Sequence, residues 1–308
     1  DAGANNATLT LNSVGSTAGV LVDGVAAAVL SITRLSATPS KGPSVQFTVT
    51  FSEGVTGVDA TDFLLTATGT AAGTVSAVSV VSTSVYIVTV TGITGDGTLR
   101  LDLKASGTGI TDIPGNVTVG AFSAGEVYTI DTTVPVITSA GTLSGVFGGP
   151  VSYTATANES PVTFAATGLP GGLSLTTGGA LSGTVNSSGN FTATLTATDA
   201  AGNVGSRTLA VTIGRSLVTI VVSNLAQTYD GQPHPVTVTT TPAGQPVTVA
   251  YAGSATVPTG AGTYAVVATV DAPNYFGTGS GTLVIAKAAQ TVSFPSPAPV
   301  SVNVAAPL

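Results

Sequence analysis

Two short stretches, Thr111-Asp112-Ile113-Pro114-Gly115-Asn116 and Thr198-Asp199-Ala200-Ala201-Gly202-Asn203, each set an Asp and an Asn on one loop. Calcium takes roughly six to eight oxygen ligands from carboxylates, amide oxygens and backbone carbonyls, and either loop offers two side-chain oxygens at once. Asp131 lies near enough in sequence to Asp112 and Glu126 to add another. Asp112, Asn116, Asp131, Asp199 and Asn203 are therefore the candidate metal ligands. The competing reading is a plain hairpin turn, because Asp and Asn side chains bond their own backbone and Gly supplies positive φ. Neither loop has the dense Asp-x-Asp-x-Asp run of a dedicated calcium loop, so the turn is the simpler of the two.

Other residue types give less. His234 is the single histidine, set between Pro233 and Pro235 just after Tyr229-Asp230-Gly231. A proline on each side favours extended, edge-like backbone, and no Gly-x-Ser-x-Gly accompanies it. Catalysis needs a constellation and not a lone residue, so no catalytic residue is assigned and the chain is read as a non-enzyme. Tyr229, Tyr251, Tyr264 and Tyr275 cluster late in the chain, and a glycan site would use Tyr264 and Tyr275 as aromatic faces. Against that, aromatic residues are the natural core fillers of a small module without Trp. Sequons at Asn6, Asn116, Asn186 and Asn190 arise readily in a chain this rich in Thr and Ser.

The elements that hold these residues are strands. Val45-Gln46-Phe47-Thr48-Val49-Thr50-Phe51, Val85-Tyr86-Ile87-Val88-Thr89-Val90 and Leu99-Arg100-Leu101-Asp102-Leu103 alternate apolar with polar and are bounded by Gly, Asp or Pro, the period of a half-buried strand. No segment sustains a helical period. Charged residues make up only 7% of the 308 residues, and 14 acids against 7 bases leave a net charge of -7. No basic face exists to neutralise phosphates, which excludes nucleic acid as partner. No apolar run approaches the ~18 residues that a membrane helix requires. There is no cysteine, hence no disulfide, thiolate chemistry or thiolate zinc site.

The strand patterns recur around a repeated punctuation, Val22-Asp23-Gly24-Val25 and Ile130-Asp131-Thr132-Thr133-Val134-Pro135, which reads as the linker of a tandem array. The expected division is 1–27 the tail of one module, 28–131, 132–214 and 215–288 three further modules, and 289–308 the start of another, with a strand opening at Thr291-Val292-Ser293-Phe294. The array is expected to be a segment of a longer repeat protein.

Three resemblances fit this division. Thr50-Phe51-Ser52-Glu53-Gly54-Val55, Asp59-Ala60-Thr61-Asp62-Phe63, Thr111 to Asn116 and Ile130 to Pro135 together resemble the bacterial Ig-like repeats of large surface proteins and adhesins, with Pro114 where that pattern has Ala. Gly168-Leu169-Pro170-Gly171-Gly172-Leu173-Ser174, Gly179-Ala180-Leu181-Ser182-Gly183 and Thr198-Asp199 with Gly202-Asn203 resemble the putative-Ig, cadherin-like repeat. Tyr229-Asp230-Gly231, Gly262-Thr263-Tyr264, Asn274-Tyr275-Phe276-Gly277 and Ile285-Ala286-Lys287-Ala288 are similar to MBG-type repeats of bacterial surface proteins.

The resemblance implies an all-β tandem array of Ig-like β-sandwich modules, outside the cell or on a bacterial surface, acting as a stalk, spacer or fibre segment. It also implies calcium at module boundaries, as in several adhesin repeats and cadherins. Alternatives are a glycan- or mucin-binding adhesion module, a filament subunit whose strands Ala7–Leu11, Gly19–Val22 and the one at Val292 and Phe294 are completed by a neighbouring copy, and a non-catalytic appendage of a secreted depolymerase.

Overall fold

The computed structural model describes residues 23–118 and 120–300. The described residues are all-β, with one 3-10 turn among them at Ala60–Asp62. Contacts divide it into two compact units: one extends to Thr138 and adds Ala157–Thr163 and Thr196–Ser206, and the other comprises the remainder.

In the first unit an antiparallel sheet runs Val29–Arg34, Ser44–Phe51, Val85–Thr94 and Ala72–Ser82. A second sheet is formed by Phe63–Gly69, Gly97–Leu103 and Val127–Ile130. Alternation decides which side chains turn inward, since successive residues of a strand point to opposite faces. Val45, Phe47, Val49 and Phe51 are buried, and so are Tyr86, Val88, Val90, Leu99, Leu101 and Leu103, all in one core. Tyr128 closes it, its ring edge-on to Phe47 at 5.1 Å. Its hydroxyl accepts from Leu35 N and Ser36 N at 3.1 and 2.9 Å and donates to Gln46 O at 2.8 Å. A buried phenol is tolerated because its polar end is satisfied. The edge strand Ala72–Ser82 slips register at three places along its partner.

In the second unit Thr142–Val146, Val204–Gly214, Gly189–Asp199 and Val162–Thr167 form a sheet in that order, with the tip Thr196–Ser206 belonging to the first unit. Pro150–Thr154, Ala180–Thr184 and Leu173–Leu175 make a second, and Leu181, Leu195, Leu209 and Val211 are buried. Further on, Ser216–Leu217, Tyr275–Ala286, Gly262–Asp271 and Thr248–Tyr251 form a sheet, joined by Ala226–Thr228, with Thr219–Ser223 and Thr237–Thr241 paired separately. Tyr251, Val266, Leu283 and Ile285 are its core.

Residues 287–300 form no strand, so the one expected at Thr291–Phe294 is not made, and Val292 and Phe294 are exposed. Ala7–Leu11 and Gly19–Val22 lie outside the described residues.

Candidate metal centres

Asp112 ends the two-residue strand Thr111–Asp112 and opens a turn. Its carboxylate accepts from Gly115 N and Asn116 N at 2.8 and 2.6 Å and from Asn116 Nδ2 at 2.7 Å. Gly115 sits at φ 102°, where any side chain would be strained. Asn116 Nδ2 also reaches Asp23 O at 3.0 Å. Glu53, on the loop after Ser44–Phe51, completes the set: carboxylate oxygens of Asp23, Glu53 and Asp112 lie within 4.8 Å of one another.

The same construction recurs. Asp199 accepts from Asn203 N and Asn203 Nδ2, both at 2.8 Å, and Asn203 Nδ2 reaches Asp131 O at 2.9 Å. Gly202 has φ 86°. Carboxylate oxygens of Asp131, Glu159 and Asp199 lie within 4.8 Å of one another.

The electrostatics follow from burial and like charge. Burial, then Asp23 and Asp112, push the Glu53 carboxyl above its ordinary value. Burial, then Asp131, Asp199 and Asp96, do the same to Glu159. At Asp112 burial pushes upward, yet the donors of Asn116 and Gly115 outweigh it and hold the carboxyl below the usual range. Each cluster is thus a concentration of hard oxygen donors, the kind of set that suits a hard divalent cation.

Asp112 and Asn116 come together as the spacing implies, and so do Asp199 and Asn203. Asp131 joins the second pair and not the first, because the linker runs alongside the Asp199 turn. Glu126 is not a member: it accepts from Arg34 N at 2.7 Å and Arg34 Nε at 3.4 Å. Asp23, Glu53 and Glu159 were not reached from the sequence. The available signal was a Glu following an early strand in both modules, in Ser52-Glu53-Gly54 and Asn158-Glu159-Ser160.

Tyr264 packs on the last core and donates to Gly260 O at 3.0 Å. Tyr275 lies edge-on to Phe147 at 5.1 Å. Both rings therefore have structural partners. His234, expected on an edge, is buried at 6% exposure, with Nδ1 3.0 Å from Gln227 Oε1 and Nε2 3.2 Å from Asp230 Oδ1. The segment turns inward, the backbone N–H of His234 donating to Pro258 O.

Residues 134–214 match the Putative Ig domain family, and residues 218–289 match the MBG domain family. The chain is an all-β tandem array of Ig-like modules in which a Putative Ig domain is followed by an MBG domain. No curated protein matches it. Among solved structures, the C-terminal 282-residue fragment of intimin, in complex with the intimin-binding domain of the translocated intimin receptor, is 15% identical over 66% of this chain and 69% of that one, with a TM-score of 0.37. FdeC, an Escherichia coli adhesin, is 16% identical over 87% of this chain and all of that one, with a TM-score of 0.30. A putative alpha-galactosidase/melibiase from Bacteroides fragilis is 21% identical over 31% of this chain, with a TM-score of 0.25, and the chain spans 20% of its length. Among the described residues no helix is long and apolar enough to cross a membrane.

Proposed function

We propose that this chain is a stalk or spacer segment of a secreted or surface-anchored adhesin-like protein, with calcium held at its linkers. The observation that supports this reading is the duplicated clamp. At two linkers an Asn amide, itself fixed by an Asp of its own turn, holds the backbone oxygen of the linker Asp, beneath three carboxylates. A spacer transmits position only if its linkers resist bending. A lone turn would serve one hairpin; the same turn gripping successive linkers serves the array.

The residues present fit the cation. Glu159 Oε1 is buried without a hydrogen-bond partner, and like-charged carboxylates crowd around it. Asp23, Glu53 and Asp112 would hold one ion, and Asp131, Glu159 and Asp199 a second. Bound calcium supplies the positive charge that cancels carboxylate repulsion. The chain's own part is orientation: Asn116 and Asn203 fix the carboxylates of Asp112 and Asp199, and the turns hold the linkers in place.

The test is thermal unfolding and small-angle scattering of the chain in calcium and in chelator. Calcium raises the melting temperature through linkage to the native state and narrows the range of inter-module conformations. Superimposable curves in both solutions remove calcium from the account. Saturable retention on mucin or a polysaccharide, abolished by Tyr264→Ala, would replace the spacer with a binding module.

A further inference from the structure

The joint between the module ending at Gly214 and the one that follows is built in another way. Arg215 alone separates the strand Val204–Gly214 from Ser216–Leu217. Ser216 N donates to Asn274 O at 2.8 Å and Val218 N to Phe276 O at 2.9 Å, so the linker becomes a parallel strand of the module it leads into, with Ser216 opposite Tyr275. Arg215 is held from the side: Nη1 donates to Asp271 Oδ1 and to Ala272 O, and the guanidinium lies 5.3 Å from the centre of the Phe276 ring. Such a linker has no slack.

The turn at Ala272-Pro273-Asn274, closed by Ala272 N donating to Tyr275 O at 2.9 Å, reaches back beyond its own module. Asn274 Oδ1 accepts from Ser188 N at 2.8 Å, and Pro273 O accepts from Ser188 Oγ at 2.5 Å. The Tyr275 ring stands edge-on to Phe147, at 5.1 Å and 80°. Phe147 is itself fixed, its N–H donating to Gly214 O and that of Gly148 to Val185 O, both at 2.9 Å. Neither acidic cluster includes a residue of this joint. Relative motion is the default for modules in one chain unless the contacts between them prevent it, and here a hydrogen-bonded strand, an aromatic pair and two polar contacts converge on one linker.

We propose that Pro273-Asn274-Tyr275 is a docking surface whose partner is the end of the preceding module, and that it locks the two into one rigid pair without a metal. Asn274 recognises the backbone of Ser188, and Tyr275 recognises the edge of Phe147. The surface fits a module that offers an aromatic ring on one loop and a backbone N–H with a hydroxyl on another, and so selects what can stand before it in an array. The inference deepens the spacer reading above, on which its mechanical meaning rests, and needs no calcium.

Limited trypsin digestion of the whole chain, with fragments identified by mass, tests it. Cleavage after Arg215 requires the clamped linker to open, whereas cleavage after Arg207, within Val204–Gly214, reports unfolding of the module itself. Where opening is fast relative to cleavage, the rate follows the open population. Tyr275→Ala and Phe147→Ala should each speed cleavage after Arg215 by about tenfold for the aromatic contact, and Asn274→Ala by about fivefold for one hydrogen bond, with Arg207 unaffected. Tyr275→Phe keeps the ring and the original rate. The Phe147→Ala, Tyr275→Ala double variant is no faster than either single one, because both lose the same contact. Calcium and chelator give equal rates after Arg215. The lock is overturned if the unaltered chain is cut after Arg215 as fast as after the exposed Lys287, if Arg207 is exposed in step with Arg215, if the two aromatic substitutions act additively, or if chelator speeds the cut. Saturable retention of the unaltered chain on mucin overturns the spacer and leaves the lock standing.

Discussion

The turn at Asp112–Asn116 and the turn at Asp199–Asn203 make nearly the same bonds in different company. In each, an Asp carboxylate gathers the backbone and amide donors of an Asn four residues on, and in each that Asn also grips the linker. One linker then continues through Gly24 with little to hold it, whereas the other is braced by Asp96 and Asn158. The difference teaches that turn chemistry is set locally, by the residues of the turn, while the charge a turn experiences is set by strands far away in sequence.

The largest expected effect tests the equivalence of the turns. Asp112→Ala strands donors of Gly115 and Asn116 and should cost about 3 kcal/mol in urea unfolding. Asp199→Ala should cost about 2 kcal/mol for the donors of Asn203. A negligible loss at Asp199 would show that only the first turn depends on its carboxylate.

The next effect separates turn from charge. Glu53 and Glu159 have raised values, so folding favours their protonated forms. That contribution is complete below the ordinary glutamate range and is lost as pH rises through the higher folded value. In chelator at neutral pH, Glu53→Gln and Glu159→Gln therefore raise the melting temperature and flatten its pH dependence. In calcium the sign reverses, because each variant loses a ligand. Asp112 has the opposite bias: its contribution is present above the ordinary aspartate value and disappears as pH falls through the lower folded one. A melting temperature insensitive to both Gln substitutions would remove the like-charge crowding from the comparison.

The smallest effect concerns backbone alone. An added Cβ at Gly115 meets nothing within 4 Å, and at Gly202 it meets Lys41 at 3.6 Å, an ordinary contact. Ala at either position should cost about 1 kcal/mol from the positive φ. A markedly larger loss at Gly202 would mean that the second turn is also sterically confined.

Much of this was legible in the residues. The alternation of Val45 to Phe51 and of Leu99 to Leu103 appears as buried faces of strands, because a period of two needs no knowledge of the partner strand. The Asp-x-x-Gly-Asn turns were legible for the same reason. Membership of the clusters was not, since Glu53 and Glu159 arrive from loops whose placement depends on the whole sandwich. Proximity in sequence set Asp131 beside Asp112, whereas the fold sets it beside Asp199. His234 shows the limit from the other side: flanking prolines suggest an edge, but the side chain is buried.

The edge strand Ala72–Ser82 is eleven residues long and exposes Val80 and Val81 at 72% and 59%. A flat edge of that length would invite a neighbour's strand to add to it. Its three register slips along Val85–Thr94 are irregularities of the kind that bend and twist an edge strand out of that flat geometry. Two copies of the chain meeting along this edge therefore find no continuous template on which to zip together.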